Sequence, residues 1–305
     1  MNLPAFASGP AGLALPYCGS APAPAEVMTR WNLDPLLIAL LFAVLAAYLA
    51  GVRGRRRSTG SLAAPPSACA QRCFVAGWAI ATLALISPLC AWSVALFSAR
   101  VAQHLLLMLV AAPLLMLGQA SVMFDVIRRI GIRLHMGEHW NHRLRNAVDG
   151  KSAMPLIAAW LLFTLALWIW HAPGPYQRSF DSTIAYWAMH ASLFGSACLL
   201  WSMLLAGGSR SKAATIAAAL ASGAQMGFLG ALLTFAPRML YPVHAASTAA
   251  WGLSPLEDQQ LGGLLMWVPG GSMMMAAGLL ALIIGLRNDD AVHESDAHRS
   301  TASRA

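Results

Sequence analysis

Apolar positions dominate the chain in seven long runs, separated by short stretches where polar and charged residues collect. A bilayer core needs about 20 predominantly apolar residues in a helix, and several of these runs are long enough. The pattern predicts helices at about 35–52, 74–91, 101–118, 154–171, 183–205, 213–236 and 258–286. The expected fold is all-α: a polytopic membrane protein with seven transmembrane helices in one bundle over residues 31–287. Residues 1–30 contain five prolines and no basic n-region, so they read as a flexible arm and not as a secretory signal. Residues 288–305 read as a disordered polar tail. Val122 to Leu134 places apolar and basic residues at helical spacing, the pattern of a helix lying on an anionic leaflet.

The last run has the clearest start. Ser254-Pro255-Leu256-Glu257 combines a capping hydroxyl, a proline at the first helical position and a glutamate at the third, which is a capping box. Asp258, Gln259 and Gln260 fill the first turns, where acidic groups suit the positive end of the helix dipole. Trp251 precedes the box and reads as an interfacial anchor. A helix over 258–286 exceeds a bilayer core, and Pro269-Gly270-Gly271 is the expected break, because Pro269 frees the carbonyl of Leu265. Gly262, Gly263, Gly278 and Gly285 suit close helix contact.

Composition agrees: 58% of residues are hydrophobic and 10% charged, far from soluble averages. The net charge of +8 gains meaning from its distribution. Sixteen Lys and Arg fall in one alternating set of inter-helix segments and four (Arg30, Arg100, Arg178, Arg238) in the other. The positive-inside rule then places the N-terminus outside and the C-terminus in the cytoplasm, which seven spans require. No basic helix with interleaved aromatics or zinc pattern points to nucleic acid. No Gly-x-Ser-x-Gly, His-Glu-x-x-His or Ser/His/Asp grouping points to a hydrolase, and no internal repeat points to a transporter.

Ionisable residues inside a membrane are costly and mark function. Four histidines, His104, His171, His190 and His244, fall toward the expected outer face. Thioethers accompany them: Met108 follows His104 at i+4, Met189 adjoins His190, Met239 lies in the outer loop, and Met266 and Met273 lie on the last helix. Imidazole with thioether suits copper, especially Cu(I). The plainer reading of each is an interhelical hydrogen bond or a methionine filling a helix interface. Cys18 and Cys90 share the outer side, so their compartment permits a disulfide and nothing else argues for one. Cys69 and Cys73 are a weak soft-metal pattern at the other side, and Cys198 is a small apolar residue.

The stretch WGLSPLEDQQLGGLLMWVPGG resembles the signature of the CtaG-type cytochrome c oxidase assembly factors of bacterial membranes. QHLLLMLVAAPLLMLGQ at 103–119, WHAPGPY at 170–176 and the segment from Met189 to Trp201 fit the same family. The resemblance implies a seven-helix inner-membrane protein that matures a haem–copper oxidase, with oxidase subunits and a copper donor protein as partners. In related sequences His104 and His190 are each the second member of an H-x-x-x-H pair; here Arg100 and Tyr186 stand at the first positions. The reading is a non-enzymatic factor with His104 and His190 as copper contacts and Met108 as a third. His171 and His244 are lesser candidates, and Trp251, Asp258, Gln259, Gln260, Met266 and Pro269 shape the mouth. The alternatives are a haem- or quinone-binding electron-transfer protein and a metal-free assembly scaffold.

Overall fold

A computed structural model describes residues 15–57, 64–123, 154–205 and 212–279. Among them the chain is helical, with no strand. In chain order the helices are α1 (Pro35–Arg57), α2 (Ala68–Ile86), α3 (Pro88–Ala95), α4 (Phe97–Leu117), α5 (Met154–His171), α6 (Pro173–Asp181), α7 (Thr183–Leu204), α8 (Lys212–Thr234) and α9 (Pro255–Leu265). Helix α9 runs on through 271–279 after a π turn at Met266–Gly270. Among the described residues five helices (α1, α2, α4, α7, α8) are long and apolar enough to cross a membrane, or six when α5 and α6 count as one span bent by 76°. The expected amphipathic helix beyond residue 123, the end of the last run at 280–286 with Gly285, and the tail lie outside the described residues.

The single helix expected over 74–91 is two. Ser87 ends α2 and its hydroxyl caps α3 at the Leu89 amide (3.3 Å), with Pro88 in the first turn. Pro88 has no N–H for the carbonyl of Ala84, four residues back. Gln103 of α4 supplies the missing donor, its Nε2 bonding to that carbonyl at 2.7 Å. In an apolar surrounding such a carbonyl must be satisfied by a neighbour, so this bond fixes the level of α4 against α2.

Two helices widen instead of breaking. Helix α4 contains a π turn at Leu106–Ala111, just before Pro113. There the carbonyl of Met108 accepts the indole N–H of Trp201 on α7 (2.9 Å). Pro269 sits inside the π turn of the last helix, where a break was expected; the chain keeps its helical course and the Gly271 amide reaches back to the preceding carbonyls. A π turn accommodates a proline by shifting the ladder one residue, at less cost than exposing the backbone to lipid.

Helix α9 packs against α8 and α4. The glycines let backbones touch: a Cβ on Gly230 would lie 2.6 Å from the Trp267 amide nitrogen and 2.7 Å from the Gly263 carbonyl oxygen. A Cβ on Gly262 would meet the Phe97 ring. The predicted capping box is present, with Ser254 and Glu257 exchanging their hydrogen bonds (3.3 and 2.7 Å).

Asp258 does something different from its neighbours. Its buried carboxylate accepts the amides of Phe97 (2.6 Å) and Ser98 (3.1 Å) and the Ser98 hydroxyl (2.5 Å). It therefore caps the N-terminus of α4, whose own N-cap residue, Leu96, has no capping side chain. Gln259 ties the chain after α8: its Oε1 accepts the Leu240 amide (2.6 Å), and its Nε2 donates to the Leu233 carbonyl (3.3 Å). Asp258 sets where α4 begins, and α4 carries the residues that follow.

Candidate functional site

The site lies at the end of the bundle where α1 begins, opposite its terminal Arg55, Arg56 and Arg57. Helices α3, α4, α6, α7 and the loop before α9 converge there. From residue 15 the N-terminal segment is held onto this end. Cys18 is disulfide-bonded to Cys90 of α3 (Cα–Cα 5.5 Å), and the Tyr17 phenol hydrogen-bonds the Asp34 carboxylate. Burial and that carboxylate raise the Tyr17 pKa, so the phenol stays protonated. The Tyr17 ring stacks on Tyr186 at 4.6 Å and meets Trp187 edge-on at 5.1 Å.

His104 of α4 and His190 of α7 are brought together. Their ring centroids are 5.1 Å apart with planes at 73°, and both side chains are buried. His190 Nδ1 lies 3.0 Å from the Tyr186 carbonyl oxygen; a carbonyl only accepts, so Nδ1 carries the proton and Nε2 keeps its lone pair. Nε2 of His190 and Nε2 of His104 are both buried without a hydrogen-bond partner. Buried polar atoms are rarely left so, and each such atom calls for a specific explanation. Two imidazoles sharing an ion through Nε2 at metal–nitrogen distances of ~2.0–2.1 Å hold their centroids within about 6 Å, which this pair satisfies.

Arg100 occupies the next turn of α4. It is 1% exposed, and no carboxylate pairs with it among the described residues. Its Nε donates to the Ser93 carbonyl (3.2 Å) and Nη1 to the Ser179 hydroxyl (2.9 Å). The guanidinium lies over the Phe180 ring at 4.0 Å, with Tyr176 at 5.7 Å and Tyr186 at 5.9 Å. Helix α6 supplies this cage: Tyr176, Ser179 and Phe180 occupy i, i+3 and i+4 and share its buried face. Helix α6 is absent from the helices the apolar pattern predicts, although the Tyr176, Ser179 and Phe180 spacing is a visible signal of it. Arg100 and Tyr186, the two residues at the expected ligand positions, are thus neighbours in one cage.

The remaining sequence candidates separate. His244 uses both ring nitrogens, Nδ1 toward the Val94 carbonyl (3.1 Å) and Nε2 accepting from the Tyr176 hydroxyl (2.8 Å). Burial, aided by the Arg100 guanidinium, pushes its pKa down to about 3 and keeps it neutral. It braces the cage. His171 donates through Nδ1 to the Leu167 carbonyl (2.7 Å), and its own carbonyl accepts from Tyr241 (2.7 Å). Met108 is buried, but the π turn begins two residues after His104 and shifts the face that i+4 spacing would share. Met189 and Met266 are core residues, while Met239 and Met273 are 44% and 41% exposed. Trp251 stacks on Trp92 at 5.3 Å. Gln260 contributes its carbonyl to Thr234 (3.5 Å), and Pro269 lies inside the π turn of the last helix, whose Gly270 faces Leu105, the residue after His104. Cys69 and Cys73 are free thiols near the start of α2.

No group of three or more His, Cys, Asp or Glu side chains able to hold a metal occurs among the described residues. The pair is a two-imidazole site. A cavity of about 440 Å³ opens between residues 15–23 and the loop at 243–250, with Phe180 of the Arg100 cage in its wall and neither His104 nor His190 lining it.

The model of one protein family, described as the cytochrome c oxidase caa3 assembly factor, matches residues 46–288. The chain belongs to that family. Neither the curated proteins nor the solved structures gave a match.

Proposed function

We propose that the protein serves maturation of a haem–copper terminal oxidase by holding copper in transit at the extracytoplasmic mouth of a seven-helix bundle. The supporting observation is the pair of buried, partnerless Nε2 atoms on His104 and His190. Leaving a buried polar atom unpaired costs on the order of 1–3 kcal/mol, and an ion bound by both imidazoles in the tautomer that leaves Nε2 unprotonated offsets that for both atoms at once. Cu(I), soft and content with few ligands, suits neutral imidazoles in an apolar surrounding. Arg100 fixes a positive charge nearby, which weakens the hold on a cation and suits release over storage. Delivery of this kind needs no turnover, so the role is not enzymatic.

The excess of Lys and Arg, 16 against 4, supports placing this mouth on the outer side of a bacterial inner membrane, with the N-terminus outside. The partners are the oxidase subunit that receives copper and a donor protein that supplies it. A haem held by both histidines would keep their centroids about 6 Å apart across a macrocycle. Edge-to-face rings at 5.1 Å favour a single ion over that alternative. The test is complementation of a deletion strain with His104→Ala and His190→Ala protein, reading oxidase activity and oxidase copper. Full maturation by both variants at wild-type protein levels would refute the site.

A further inference from the structure

We propose that Cys18 and Cys90, reduced from their disulfide to a thiolate pair, form a second Cu(I)-binding station next to the histidines. This rests on the copper reading above and adds the redox state that opens the entry point. Thiolate is the softest ligand a protein offers and selects Cu(I). The two sulfurs are bonded to each other, so on reduction they remain close enough to share one ion without rearrangement of α3.

Three features set this pair apart from a mere staple. Both sulfurs touch the Tyr186 hydroxyl, Cys18 Sγ at 3.4 Å and Cys90 Sγ at 3.6 Å. The Tyr186 ring lies 4.2 Å from the His190 ring, and His190 lies 5.1 Å from His104. The sulfurs therefore stand one aromatic ring away from the imidazole pair. Donors also face the sulfurs: Asn32 Nδ2 reaches Cys90 Sγ at 3.6 Å, and the Tyr186 O–H can serve either sulfur. Donors and nearby cations stabilise thiolate over thiol. Finally, Arg100 is a buried cation with no carboxylate among the described residues, and it shares the Tyr186 ring with the sulfurs. A Cu(I) ion on two thiolates carries a net charge of −1, the sign that cage lacks.

The chemistry balances by thiol–disulfide exchange with an extracytoplasmic dithiol protein. Its two thiols reduce the Cys18–Cys90 bond to two thiols and become a disulfide themselves. Cu(I) then binds as both protons leave to water. Exchange with an extracytoplasmic disulfide protein afterwards re-forms the Cys18–Cys90 bond, and that protein's disulfide takes up the two electrons and two protons to become two thiols. This withdraws both sulfur ligands and leaves Cu(I) to the histidines.

The test uses full-length protein purified anaerobically in detergent and titrated with Cu(I) against a chromophoric Cu(I) chelator, before and after dithiothreitol treatment and desalting. The proposal expects reduction to add about one Cu(I) per chain. That gain is lost in Cys18→Ser and Cys90→Ser and kept in Cys69→Ser/Cys73→Ser/Cys198→Ser. X-ray absorption of that triple variant, reduced and copper-loaded, should show two sulfur neighbours, and it needs no change at Cys18 or Cys90. No gain on reduction, a gain that persists without Cys18 and Cys90, or a sulfur-free copper spectrum would each overturn the proposal. His104→Ala/His190→Ala is titrated in parallel: copper lost from its oxidised form tests the histidine site alone, and the reduction-dependent gain tests the thiols alone.

Discussion

Replacing Asp258 with alanine should unseat the helix that carries the site, although Asp258 touches neither histidine. Its carboxylate is 0% exposed and satisfies three donors at the start of α4. The Ser98 hydroxyl can turn to another acceptor, but the Phe97 and Ser98 amides cannot. Two buried donors left unpaired cost roughly 2–6 kcal/mol together, and we take about 4. For a chain of this size about 2–4 °C is lost per kcal/mol, so the melting temperature in detergent should drop roughly 10 °C. Asp258→Asn keeps one acceptor and turns an amide donor toward the other amide, so it should fall between alanine and wild type. Glu257→Gln is the control, because Glu257 belongs to the solvent-facing capping box; its loss should stay within about 1 kcal/mol. Hydrogen exchange localises the effect: the Phe97 and Ser98 amides should lose protection in Asp258→Ala. Equal melting of Asp258→Ala and Glu257→Gln would refute the cross-helix cap.

Gln103→Leu should lower stability by about 1–3 kcal/mol, because the Ala84 carbonyl freed by Pro88 loses its donor; a melt matching wild type would contradict this. Gly230→Ala should cost about 1–3 kcal/mol and loosen α8 from α9, since its Cβ would meet backbone atoms of the last helix; full stability would show that the helices separate freely. His244 makes stability depend on pH. The unfolded chain takes up its proton near 6.5 and the native protein near 3, so between them the unfolded state holds more protons and stability rises with pH. Wild type should lose about 1.4 kcal/mol per pH unit below 6.5 from this residue, a slope absent in His244→Asn; parallel melts at about pH 7 and pH 5.5 decide it.

Much of the fold was legible because apolar runs and capping chemistry are local. Ser254, Pro255 and Glu257 announced their helix, and the segments of α1, α5, α7 and α8 began near the predicted residues. The break between α2 and α3 was not read, although Ser87-Pro88 carried the signal, because continuous hydrophobicity hides a helix end. The π turns escaped for another reason: spacing arguments assume 3.6 residues per turn, and Met108 was placed on that assumption. His104 and His190 could be placed near one end of their helices, but not in contact, since helix rotation is set by packing with distant partners. The Arg100 cage and the Cys18–Cys90 bond depend on residues far apart in the chain, which no local pattern reports.

The central claim is a copper ion shared by His104 and His190. Its most direct test is the metal and haem content of protein purified anaerobically in detergent, wild type beside His104→Ala/His190→Ala. The account predicts copper near one per chain in wild type, its loss in the variant, and no haem absorption in either. Wild-type protein without copper, copper retained by the variant, or bound haem would contradict it.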